Sequence, residues 1–159
     1  MAHTMKVLLL AAALVGSACG TRAVAATRPP ADLCSLLPAA QVSKTTGQGY
    51  NAPQKTVAPR PFANTVEGSD CTYKQSKGSA HILFRAYADP SPSQAADLFA
   101  RLGAFYSPQT PVPGLGDKAY FDPKHGLHVL KGNVRFFIEM GKFDEKQAKV
   151  LAAYVVGQL

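Results

Sequence analysis

The stretch Gly126-Leu127-His128-Val129-Leu130-Lys131-Gly132-Asn133-Val134-Arg135-Phe136-Phe137-Ile138-Glu139-Met140 decides the fold. Two runs rich in β-branched and aromatic residues flank the two-residue turn Gly132-Asn133, the residue types a tight antiparallel connection demands. A turn of that length fixes the register: Val129 pairs with Phe136, Leu127 with Ile138, Leu130 with Arg135 and His128 with Phe137. Because side chains alternate along a strand, Val129, Phe136 and Ile138 share one face, and His128, Leu130, Arg135 and Phe137 share the other.

Working outward, 118–122 reads as a further strand, and 71–76 with 80–88 reads as a second hairpin about Lys77-Gly78. Alternation in that hairpin puts Ile82, Phe84 and Ala86 with the core and sends His81, Leu83, Arg85 and Tyr87 to the opposite side. Helices have caps and stripes. Ser91 or Ser93 caps a helix to about Phe105 with Ala95, Leu98, Phe99 and Leu102 on one side, and Asp144 caps a last helix that buries Val150, Leu151, Tyr154 and Val155. The first element starts at Asp32, with Pro38 at a first helical position and Gly47 past the end. Residues 48–70, with three prolines, and 106–117 read as loops. The order is α-β-β-α-β-β-β-α. Few of these connections suit parallel crossovers, so the expected class is α+β: an antiparallel sheet of about five strands with helices mainly on one face.

The N-terminus reads as an export signal. Lys6 precedes the apolar run Val7 to Gly16, which is half the roughly twenty residues a membrane-spanning helix needs. Two processing readings stay open: lipidation of Cys19 after Val15-Gly16-Ser17-Ala18, which makes 1–18 the signal, or cleavage after Ala23-Val24-Ala25, which makes it 1–25. The remainder, 26–159, is one exported domain. Either way Cys34 and Cys71 remain, and an even pair in an oxidising compartment is expected to form a structural disulfide. Closing a loop of nearly forty residues stabilises by roughly 4 kcal/mol in the chain-entropy picture.

Cys34-Ser35-Leu36-Leu37, Cys71-Thr72-Tyr73 and Pro113-Gly114-Leu115-Gly116-Asp117-Lys118-Ala119-Tyr120 together resemble a group of small, largely uncharacterised bacterial envelope lipoproteins. Shared motifs are a Cys-x-Leu-Leu start, a Cys-x-Tyr strand and a Gly-Leu-Gly-Asp-x-Ala turn. The resemblance implies periplasmic or envelope location and a fold; it carries over no catalytic residues.

Motifs for chemistry are missing: the chain has no Gly-x-Ser-x-Gly, no Walker loop and no His-Glu-x-x-His. His125 and His128 are three apart in turn and strand, which points them to opposite faces, so neither a metal nor a cofactor is expected. From Ala26 onward fifteen basic residues face ten acidic ones, spread without a run or a nucleic-acid motif. What stands out is the second sheet face, where His81, Arg85, Tyr87, His128, Arg135 and Phe137 gather, with Leu83, Leu130, Lys74 and Tyr120 beside them. Arginine forks and rigid aromatics suit an anionic or amphipathic ligand, an envelope protein or a second copy of the chain. Alternatively the 48–70 loop folds over that face and covers it. The expectation is a non-catalytic envelope binding or interaction module, membrane-attached by a lipid anchor only. The other reading is an envelope enzyme, or an enzyme accessory, with no recognisable motif.

Overall fold

The quoted hairpin lies near the middle of a seven-stranded sheet. The computed structural model describes residues 29–159, so the signal segments expected over 1–18 or 1–25 and the Cys19 lipidation site lie outside the described residues. The strands are β1 (Gln54–Ala58), β2 (Gly68–Lys74), β3 (His81–Ala88), β4 (Thr110–Pro111), β5 (Lys118–Phe121), β6 (Leu127–Lys131) and β7 (Val134–Met140). They lie in the order β1-β2-β3-β7-β6-β5-β4, with every neighbouring pair antiparallel. All four pairings read from the Gly132-Asn133 turn are present.

The sheet exceeds the expected five strands at its two edges. β1 falls inside the region read as loop, and its side chains are exposed except Ala58, so no alternation of apolar residues marks it. β4 is a two-residue edge strand containing Pro111, tolerable because an edge needs fewer donors. β2 also begins three residues earlier than expected, at Gly68.

A 3-10 turn (Leu33–Leu36) is followed by α1 (Ala39–Thr46), α2 (Pro92–Phe105) and α3 (Glu145–Val156). Asp32 caps the turn through Cys34 N. Pro38 is the N-cap of α1 rather than its first helical residue: its backbone is extended and its carbonyl accepts from Val42 N. Gly47, at φ 69°, closes α1 in the left-handed conformation that costs glycine nothing. Ser91 and Asp144 cap α2 and α3 through Gln94 N and Gln147 N. The buried stripe of α3 is Ala148, Leu151, Ala152 and Val155, while Val150 is exposed, contrary to expectation. Counting only large residues turned the helix too far; the alanines let it lie close to the sheet.

The main core joins Ile82, Phe84, Leu127, Val129, Phe136 and Ile138 of the sheet to Val42 of α1 and Leu151 and Val155 of α3. Phe84 and Phe136 pack at 5.8 Å. Cys34 and Cys71 form the disulfide, with Cα atoms 5.7 Å apart, and tie the 3-10 turn to β2 inside this core. α2 packs on the opposite face, where Ala95 and Phe99 meet Tyr120 and Leu130. Helices therefore cover both faces, two on one side and one on the other. Among the described residues no helix is long and apolar enough to cross a membrane.

Candidate functional site

Register places one row of side chains across the second face. Thr56, Asp70, Arg85, Phe137, His128 and Tyr120 are successive partners from β1 to β5. The row beside it holds Tyr87, Arg135, Leu130 and Lys118. Their arrangement differs from the open cationic face the sequence implied, because each of these arginines meets a carboxylate. Arg85 donates from Nε and Nη2 to Asp70, at 2.6 and 2.7 Å, with its side chain still 30% exposed. Arg135 donates from the same two nitrogens to Asp89, at 2.5 and 3.0 Å, and both side chains are sealed. Its guanidinium lies 4.8 Å from the centre of the Tyr87 ring.

His128 is held more elaborately. Its ring stacks on Tyr120 at 4.8 Å, and Phe137 and Tyr106 lie at 4.7 and 5.0 Å. Asp122 supplies the polar contact, with Oδ2 2.9 Å from Nε2. The other oxygen of Asp122 accepts from the backbone N–H of Lys124 and Gly126 at 2.8 and 3.0 Å, which fixes the carboxylate. Gly126 is required here: a Cβ would stand 2.1 Å from the Phe137 ring and 2.8 Å from Asp122 Oδ2. Burial lowers the His128 pKa below the ordinary imidazole value, and the Asp122 hydrogen bond and charge offset only part of that. Burial raises the Tyr120 hydroxyl above the usual phenol range, with Tyr106 and Asp122 adding to it and Arg135 opposing.

Two walls rise from this row. On one side Pro59, Arg60, Pro61 and Phe62 fold over β3, and the Tyr87 hydroxyl donates to Pro59 O at 2.8 Å. On the other stand Leu102 and Phe105 of α2, followed by Tyr106. The Arg101 guanidinium lies 4.2 Å over the Phe62 ring and ties the two walls together. Between them is a cleft of about 230 Å³ floored by Arg85, Tyr87, His128 and Phe137. Phe105 stands on its rim at 83% exposure. A groove of about 480 Å³ runs along Glu145, Lys149 and Ala153 of α3, and two further grooves also exceed the cleft. One of about 460 Å³ is lined chiefly by turn residues of 111–119. The other, of about 430 Å³, is lined by Gln48, Gln75, Lys142 and Gln147 among others. The smaller cleft brings five phenylalanine and tyrosine rings together, against two in each of these two grooves.

Four of the six expected residues, Arg85, Tyr87, His128 and Phe137, thus meet in one place. Arg135 lies below them as a buried structural ion, and His81 borders the separate Gln48 groove. Leu130 is covered by α2. The proposed covering loop is half right: 59–62 roof one side and leave the cleft open. The sequence reading missed Phe62, Leu102, Phe105 and Tyr106, and also the partners Asp70, Asp89 and Asp122. His125 turns away to stack on Phe143 at 4.4 Å, so the two histidines of the His-x-x-His spacing do not converge.

No family model and no curated protein matches the chain. Among solved structures, the extracellular domain of PknH from Mycobacterium tuberculosis is similar, with a TM-score of 0.59 over 82% of this chain and 97% of that one. Identity is 12%, so the likeness is one of fold.

Proposed function

We propose that this chain is an exported, non-catalytic envelope domain that binds a small amphipathic ligand in the cleft between 59–62 and α2. The observation that carries this reading is the convergence of Tyr87, Phe137, Phe105, Phe62 and Tyr106 around the hydrogen-bonding groups of Arg85 and His128. Pairing of Arg85 with Asp70 leaves the floor close to neutral, which favours an amphipathic occupant over an anionic one. The volume of the cleft lies below the roughly 300 Å³ at which pockets for drug-sized ligands begin, so the occupant is small. Export is supported by the Lys6 and Val7 to Gly16 signal pattern and the buried disulfide, and is compatible with a fold shared with an extracellular domain. Attachment through Cys19 belongs to the same proposal.

Native mass spectrometry of the protein isolated from its own envelope tests this. A bound small-molecule mass is expected in wild type and absent from Phe105→Asp, which charges the rim at an exposed position. A wild-type protein that carries nothing and takes up no small aromatic compound would overturn the reading.

A further inference from the structure

His128 carries a polarity that narrows the ligand. Asp122 Oδ1 is committed to two backbone N–H groups, and Oδ2 faces Nε2 at 2.9 Å. A carboxylate accepts only, so the neutral imidazole must hold its proton on Nε2, and Nδ1 is left as a lone-pair acceptor. Among the described residues no partner meets Nδ1. Nδ1 is not among the sealed polar side-chain atoms without a partner, which are Tyr120 Oη, Asn133 Oδ1 and Arg135 Nη1, and His128 is one of the residues that line the cleft. The rings of Tyr120, Phe137 and Tyr106 prevent the imidazole from turning over to exchange its nitrogens.

We propose that the cleft selects uncharged aromatic molecules bearing an O–H or N–H donor, which is given to Nδ1 of His128, with Asp122 as the positioning residue that fixes the imidazole tautomer. This rests on the binding function proposed above. The aromatic part lies against Phe137 and Phe105, and the near-neutral Arg85–Asp70 pair offers no net attraction for an anion. Asp122→Asn reverses the polarity. The asparagine oxygen keeps both backbone bonds of the turn, its amide donates to Nε2, and the imidazole proton moves to Nδ1.

Calorimetry with 2-naphthol, 2-methoxynaphthalene and 2-naphthoate tests the idea on the exported protein, and ¹⁵N shifts of the His128 ring report the tautomer. Expected is an Nε2–H tautomer and 2-naphthol binding roughly tenfold tighter than its methyl ether, the factor for about 1.4 kcal/mol. That preference should vanish in Asp122→Asn, whose ring proton appears on Nδ1. Equal binding of naphthol and ether, both weakened by Phe105→Asp, would overturn donor selection and leave the cleft as a binding site. Tightest binding of 2-naphthoate would overturn the neutral class. No binding of any probe would overturn the cleft reading and this one with it.

Discussion

Replacing Arg135 with methionine separates an arginine that holds the fold from one that lines the cleft. Asp89 is 0% and Arg135 3% exposed, so the change strands a carboxylate with its two strongest donors removed. Breaking a buried pair from one side costs about 3–5 kcal/mol, and loss of the contact over Tyr87 adds to it. For a domain of this size 1 kcal/mol corresponds to about 3–5 °C, so the melting temperature should fall by roughly 10–20 °C. Arg85→Ala is the comparison. That pair is partly solvated, with Arg85 30% and Asp70 14% exposed, and solvent screening holds its effect to about 1 kcal/mol or less. Urea unfolding and thermal melts of both variants, with the disulfide intact, measure the difference. Asp89→Asn combined with Arg135→Met should recover much of the loss, because the stranded charge is gone. An Arg135→Met protein within 1 kcal/mol of wild type would refute the buried pair and the register that creates it.

Removing the disulfide as Cys34→Ala with Cys71→Ala should cost about 2–4 kcal/mol by urea unfolding, since it closes a separation of 37 residues in the unfolded chain; an unchanged midpoint contradicts this. His128 makes stability fall on acidification. Its pKa is lowered by folding, so the unfolded chain takes the proton first: the contribution is complete above about pH 7 and is lost below about 6.5, at no more than about 1.4 kcal/mol per pH unit. The titratable groups facing it are Asp122, Tyr106 and Tyr120, so the slope between pH 5 and 7 should flatten in His128→Gln, and identical slopes would contradict the buried neutral ring.

The central hairpin was legible because a two-residue turn leaves one register, and the helices because Ser91, Asp144 and Gly47 mark their ends. β1 was not, since Lys55, Thr56 and Val57 are exposed and a polar edge carries no period-two signal. The stripe on α2 announced a buried side without saying which sheet face it would meet, and its covering of Leu130 and Tyr120 turns an open surface into a cleft. The Asp70–Arg85 pair lay one residue beyond the expected second hairpin, which started at Cys71; extending that register by one step would have found it. Asp89 with Arg135 needed the β3–β7 pairing, which joins segments 46 residues apart and leaves no local mark. Asp122 was expected as the last residue of a strand, but β5 ends at Phe121 and the turn Asp122 makes returns His128 to its carboxylate.

A fragment screen followed by backbone amide shift mapping on the labelled protein tests the binding site most directly. Small neutral aromatics should perturb Tyr87, Leu102, Phe105, Tyr106, His128 and Phe137, and leave the Gln48 and Lys142 groove unmoved. Hits that map to that groove, or to the turns of 111–119, would contradict the cleft as the place where this protein meets its ligand.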